Sequence, residues 1–185
     1  MRVYIAGPEV FLPNAAEVLA TKKALCTEYN YEGVTPFDAN IGTLENTYKC
    51  GVLIAQENEK LIDSCQVVIA NITPFRGLSA DPGTIFEVGY ARAKGLRVLG
   101  YSYILDTHAK RAAQHYLHDV VRDGDFYRSG TDRTLIDDFE MADNAMIEGG
   151  IVLSGGSIVM MAPNREKYPG VIDDLQGFEA CLKVL

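Results

Sequence analysis

The stretch Asp81-Pro82-Gly83-Thr84-Ile85-Phe86-Glu87-Val88-Gly89-Tyr90-Ala91 sets two carboxylates close together along the chain. Cleavage of a glycosidic bond needs such a pair. One carboxylate stays ionised and attacks the anomeric carbon through an oxocarbenium-like transition state, and the other assists the leaving group. A helix glutamate is ordinarily a solvated surface charge, but three features set Glu87 apart. Asp81 and Pro82 open its helix as N-cap and N1, so Asp81 is nearby. Gly83 and Gly89 bare the backbone around it, as close approach to a ligand requires. The helix also follows the strongest strand of the chain. Its N-terminal dipole favours an ionised Glu87. Spacing along the chain does not by itself establish that the two carboxyls converge.

The elements that must position these residues alternate. Arg2–Ala6 is a short apolar strand broken by Gly7-Pro8. A helix is expected from Asn14 to Tyr29, with Val18, Leu19, Ala24 and Leu25 at helical spacing and an Asn14/Glu17 capping box. Glu32–Pro36 reads as a second strand, and 46–64 as a helix carrying Val52, Ala55, Glu59 and Ile62 along one face. Gln66–Ile72 is continuously apolar and β-branched, as a strand buried on both faces should be. The helix from Pro82 runs to about Lys94, where Gly95 ends it. Arg97–Tyr101 and Ser157–Ala162 are further strands, and Val171–Val184 is a closing helix. Such alternation gives an α/β fold, a doubly wound parallel sheet of about five strands with helices on both faces. Ligands in such sheets sit beyond the C-terminal strand ends. Tyr4–Gly7, Phe37–Asn40 and Asn71–Gly77 gather at that edge. One domain over 1–185 is expected, with an insertion at about 106–142, rich in Asp, Arg, Gly and Tyr and partly helical.

Several chemistries lack an anchor. There is no G-x-G-x-x-G after the first strand and no phosphate-binding G-x-x-x-x-G-K-[ST], so NAD and ATP are poor candidates. No Ser lies in a G-x-S-x-G elbow. His108, His115, His118 and Asp119 read as a solvated helix face rather than a metal site. Gly149-Gly150 and Gly155-Gly156 read as turns. No metal and no cofactor are expected. The formal net charge of −8 repels phosphate backbones, which argues against a nucleic-acid polymer as partner. Cys26, Cys50, Cys65 and Cys181 show no C-x-x-C spacing and read as reduced thiols of a cytoplasmic protein. The N-terminal apolar run is too short for a signal peptide, and no run reaches membrane-spanning length.

Five pieces in order resemble the nucleoside 2-deoxyribosyltransferases. They are Tyr4-Ile5-Ala6-Gly7-Pro8, Pro36-Phe37-Asp38-Ala39-Asn40, Ala70-Asn71-Ile72-Thr73-Pro74-Phe75-Arg76-Gly77, Asp81 through Ala91, and Asp143-Asn144-Ala145-Met146-Ile147. The resemblance implies a flavodoxin-like fold and a homo-oligomer with shared active sites. It also implies double displacement, in which a deoxynucleoside gives its deoxyribosyl group to a carboxylate and a free nucleobase accepts it. Glu87 is then the nucleophile, and Asp81 contacts the base and helps its proton transfer. Tyr4 supplies a hydroxyl near the nucleophile, and Asn40 lies on the base side. Asn144 reaches into the neighbouring subunit's site. Gly7, Gly83 and Arg76 complete the substrate-binding set, with Arg76 a candidate for pairing with Asp81 or Glu87. The chain departs from the family at Asn58, where an Asp is usual, and at Gln66. Asn58 still hydrogen-bonds a sugar or base but is no acid. The Pro-Phe-Arg-Gly and Asp-Pro-Gly-Thr loops resemble the purine-preferring branch.

Outside the family, Tyr4 reads as a core aromatic on an edge strand, Asn40 as a turn residue and Asn144 as a helix N-cap. Two other functions compete with transfer. A deoxynucleoside or deoxynucleotide N-glycosidase uses the same site with water as acceptor. Glu9, an acid beside the first strand, speaks against a phosphorylated substrate. A non-catalytic nucleotide-sensing module of similar fold has no need of a carboxylate at position 87.

Overall fold

The computed structural model describes residues 1–43, 45–116, 119–130, 132–164, 166 and 170–185. Five parallel strands form the main sheet: β1 (Arg2–Ala6), β2 (Glu32–Val34), β3 (Val67–Asn71), β4 (Arg97–Ser102) and, far along the chain, β8 (Ile158–Met160). Their order is β2-β1-β3-β4-β8, with Tyr4 opposite Val34 on one side and Val68 on the other. Counted along the main sheet this is the 2-1-3-4-5 order of flavodoxin-like folds, whose direction of winding reverses between β1 and β3. β1 is therefore an interior strand, so Tyr4 does not lie at a sheet edge.

Alternation along the strands divides the core into two layers. Tyr4, Ala6, Val68, Ala70 and Val98 face a layer completed by Ile62, Val88, Ala91 and Ile151. These last residues belong to α2 (Tyr48–Asp63), α3 (Pro82–Ala93) and α5 (Ala145–Leu153). Val3, Ile5, Ile69, Leu99 and Tyr101 face the other layer, closed by Leu19 and Cys26 of α1 (Ala15–Glu28) and Phe178 of α6 (Gln176–Lys183).

Helix ends show where local signals hold. Asp81 caps α3 through its side chain, and Gly95 takes φ +80 just past the helix. Asn14 occupies the N-cap position of α1 without a side-chain cap bond, so no capping box forms. The cap of α2 is Thr47, whose hydroxyl accepts from the Cys50 amide at 3.2 Å. The inner face of α2 carries Ile54, Asn58 and Ile62, while Val52 and Ala55 are exposed. The closing helix is shorter than expected.

Between β4 and α5, the chain forms more than a partial helix. α4 (His108–His115) is followed by β5 (Val120–Asp123), β6 (Phe126–Ser129) and β7 (Leu135–Ile136), a second, antiparallel sheet. These strands are short and largely exposed, so no apolar alternation announces them. Arg111 of α4 ties this region to the main body. It donates to the carbonyls of Leu78 and Asp106 and lies 3.8 Å from Asp143.

Beneath the sheet edge lies a buried ion pair. Glu9 and Lys22 are both fully buried, and Lys22 Nζ donates to Glu9 Oε1. The same oxygen accepts from Asn71 Nδ2 at 2.8 Å and from the Tyr101 hydroxyl at 3.0 Å. The ammonium also lies over the Tyr101 and Phe178 rings. Burial, and next the charge of Glu9, push the Tyr101 phenol well above its usual range. Removing one member leaves the other charge buried and unpaired. Lys22→Met is expected to destabilise the protein by about 3–5 kcal/mol in urea unfolding. The double change Glu9→Gln/Lys22→Met should lose less than Lys22→Met alone.

Candidate active site

The start of α3 brings the site together. Asp81 is nearly buried, and its Oδ2 accepts from the Thr84 amide at 2.9 Å and the Thr84 hydroxyl at 3.2 Å. Pro82 fixes the first helical turn. Thr84, Val88 and Ala91 then face the core, and Glu87, on the flank of that stripe, is carried back over β1. There the Tyr4 hydroxyl donates to Glu87 Oε1 at 2.7 Å, joining residues 83 apart in the chain.

Burial dominates the electrostatics of this pair. It pushes the Glu87 carboxyl up to about 7; the Tyr4 hydrogen bond works in the opposite direction, and the charges of Asp81 and Glu9 add to the rise. The helix dipole, which favours the ionised form, does not prevail, because its influence fades beyond the first turn. Tyr4 is driven far above the usual phenol range by its own burial and then by Glu87. It is therefore a permanent neutral donor, and the proton that moves near neutral pH is that of Glu87.

Glu87 and Asp81 open onto a cavity of about 390 Å³. Its walls are largely apolar: Val10, Phe11, Pro36, Phe37, Ile41 and Ile54. Its polar positions are Asn58, Asp81, Thr84 and Glu87. A neighbouring cavity of about 360 Å³ between α2 and α3 shares Ile54, Asn58, Gly83 and Glu87 with it. Asn58 Oδ1 is buried without a hydrogen-bond partner among the described residues. An unsatisfied acceptor of this kind costs about 1–3 kcal/mol until a donor reaches it. A further cavity of about 430 Å³ lies at α4 and the antiparallel sheet, and none of the sequence-derived site residues line it.

The structure thus gathers Tyr4, Gly7, Asn58, Asp81, Gly83 and Glu87. Gly7 lines the cavity, and a Cβ there would stand 2.0 Å from Glu9 Oε2. Gly83 has a milder limit, 3.1 Å from Asp81 Oδ2. Three residues fall outside. Asn40 is exposed and off the cavity wall, whereas Phe37 and Ile41 on either side of it line the wall. Arg76 makes no ion pair with Asp81 or Glu87 among the described residues; its guanidinium lies over Phe11 and Phe75. Asn144 caps α5, accepting from the Met146 amide at 3.0 Å and donating to Asp137 at 2.9 Å. Glu9, read from sequence as a repelling acid, is buried against Lys22, so it does not argue against a phosphorylated substrate. The α2 side of the two cavities does carry a sequence signal, since Ile54, Asn58 and Ile62 stand at helical i, i+4, i+8 spacing.

His118 lies outside the described residues. Among those described, no group of three or more His, Cys, Asp or Glu side chains is placed to hold a metal ion. All four cysteines are free thiols. No described helix is long and apolar enough to cross a membrane.

The family model for nucleoside 2-deoxyribosyltransferases matches residues 3–146. The chain belongs to that family. It is 31% identical over 184 residues to an uncharacterized protein of Schizosaccharomyces pombe, covering 94% of this chain and 87% of the other. Among solved structures it is similar to a 2-deoxyribosyltransferase from Leishmania mexicana, with TM-score 0.60 and 29% identity over 79% of this chain and 84% of that one. The fold alone is shared with a CMP N-glycosidase of Clostridium botulinum, at TM-score 0.51 and 12% identity over 99% of each chain. Membership makes the protein an enzyme of nucleoside chemistry, with deoxyribosyltransferase-like activity.

The raised Glu87 pKa has a consequence for stability. Between its ordinary 4.5 and about 7, the folded protein holds a proton that the unfolded chain has released. Stability therefore falls as pH rises through that window. Glu87→Gln cannot ionise and escapes this loss. Discounted for partial solvent access, the effect is about 1–2 kcal/mol. Between pH 5 and pH 8, the melting temperature of Glu87→Gln relative to wild type should rise by about 2–8 °C. An unchanged difference would place the Glu87 titration elsewhere.

Proposed function

We propose that this enzyme transfers the 2-deoxyribosyl group between nucleobases, with Glu87 as the nucleophile. The observation that carries the reading is the Tyr4–Glu87 hydrogen bond at the wall of a cavity large enough for a nucleoside. Tyr4 holds one carboxylate oxygen, which fixes the direction of the other. That oxygen attacks C1′ of the deoxyribose. The N-glycosidic bond breaks, and its electron pair leaves with the base, which takes up a proton. Asp81, on the same cavity wall, assists that transfer. The sugar remains as an ester of Glu87 until a second base attacks C1′, gives up its N–H proton with the help of Asp81, and releases the carboxylate. The ester conserves the glycosyl group for transfer, and the exchange calls for no cofactor.

Asn58 supplies an acceptor for a sugar hydroxyl or a base amino group, and its unpartnered Oδ1 supports that role. Gly7 and Gly83 leave room for the ligand. The Pro-Phe-Arg-Gly and Asp-Pro-Gly-Thr loops favour purines, and the apolar wall suits a two-ring base. Asn144 lies off the cavity of its own chain, which is compatible with a homo-oligomer in which it serves a neighbouring site. Asn40 acts at the base side only if its exposed loop closes over the ligand.

Hydrolysis, with water as acceptor at the same site, is the second reading, and the compensation of Glu9 by Lys22 leaves nucleotides open as its substrates. Deoxyinosine incubated with adenine separates the two. Deoxyadenosine is the expected product, seen by chromatography; free deoxyribose without exchange would mean hydrolysis. Glu87→Ala should retain the fold and lose turnover, and near-normal rates in it would overturn the assignment of the nucleophile. Because attack needs the ionised carboxylate, kcat/KM should climb with pH through about 7. Inosine should react poorly beside deoxyinosine, since a 2′-hydroxyl withdraws electrons from the developing cation.

A further inference from the structure

Arg76 lies on the loop between β3 and α3, at φ +55, in the left-handed region that side chains rarely adopt. The Phe75 amide donates to the Ser79 carbonyl at 3.1 Å, which closes the loop around it. Its guanidinium stands 4.8 Å from the centre of the Phe11 ring and 4.7 Å from that of Phe75. These two rings are themselves stacked, 5.6 Å apart and 12° from parallel. Phe11 lines the catalytic cavity, yet about half of its surface is exposed. Neither Phe75 nor Arg76 lines that cavity. A half-exposed phenylalanine on a single helical turn has little apolar packing of its own to fix its ring. The cation held against both rings supplies what that packing does not.

We infer, resting on the proposed deoxyribosyl transfer, that Arg76 is a positioning residue for base recognition. It clamps Phe11 against Phe75, and so presents the Phe11 ring as a fixed aromatic wall on which a planar nucleobase stacks. Arg76 touches neither sugar nor base. Its backbone strain persists because the stack and the Phe75–Ser79 bond together over-determine the loop. Discrimination at this wall is by ring area rather than by hydrogen-bonding pattern, because every base presents a π-face. A two-ring base covers more of the wall than a one-ring base, so loss of the clamp should weaken purines more than pyrimidines.

A double-mutant cycle tests this. Arg76→Asn removes the guanidinium and keeps a residue that tolerates the left-handed conformation. Deoxyinosine binding is measured by calorimetry in a Glu87→Gln background, alone and combined with Arg76→Asn, Phe11→Ala or both. Arg76→Asn should weaken binding by about three- to tenfold. Phe11→Ala should weaken it at least as much, and the double variant should be no weaker than Phe11→Ala alone. In the active enzyme, Arg76→Asn should raise KM for acceptor adenine with kcat held within about twofold, since the reacting atoms are untouched. Arg76→Lys, which keeps a cation over the rings, should recover part of the loss. Multiplicative losses in the double variant would overturn the inference by giving Arg76 its own contact with the ligand. So would unchanged binding in Arg76→Asn. Failure of well-folded protein to bind deoxyinosine at all would instead sink the proposed function, and this inference with it.

Discussion

A carboxylate withdrawn from water beside a phenol that cannot ionise places demands on the whole fold. Tyr4 must reach Glu87 from below, so β1 has to lie inside the sheet with its even-numbered side chains toward α3. Glu87 must then meet it from α3, whose start is set by the Asp81 cap and Pro82. The reversal of winding between β1 and β3 leaves the strand ends open where these side chains meet. Each element is needed for one 2.7 Å contact, and that contact holds in place a carboxylate whose proton affinity is raised chiefly by burial.

The surroundings divide the work between two layers. On the α3 side, apolar walls dehydrate Glu87 and raise its proton affinity. On the α1 side, charge is also buried, but there Lys22 answers Glu9 and two further donors reach the same oxygen. One carboxylate is compensated by an ion and stays structural. The other has only a neutral donor and remains responsive to pH and ligand. Asn71, at the end of β3, links this ion pair to the loop that follows, donating to Glu9 and accepting from the Thr73 amide.

Much of this was legible along the chain because it rests on local signals. The run Gln66–Ile72 reads as a doubly buried strand, and Asp81-Pro82 reads as a helix start. The order of elements suffices for a parallel, doubly wound sheet. What could not be read depends on partners distant in sequence. Lys22 in a helix looks like a solvated charge until Glu9 and Tyr101 close over it. Arg76 looks like a carboxylate's partner until Phe11, from a distant segment, stacks on Phe75 and meets its guanidinium. Asn40 sits in a recognisable loop, but the path of that loop turns Phe37 and Ile41 to the cavity and leaves Asn40 exposed. The short strands of the second sheet carry Arg122 and Asp123 at exposed positions and little alternation of apolar residues, and they pair as antiparallel neighbours.

The span of 83 residues between Tyr4 and Glu87 also bears on how the protein comes into being. β1 is made before both of its neighbours and has only β2 beside it until β3 is made. Its second flank waits for a strand more than 60 residues later, a non-local pairing of the kind that slows folding. During that interval the nascent chain has a phenol and no carboxylate to meet it. The Tyr4–Glu87 bond therefore arrives with closure of the sheet rather than with any local piece of it. The pair doubles as a marker that this part of the chain has finished folding.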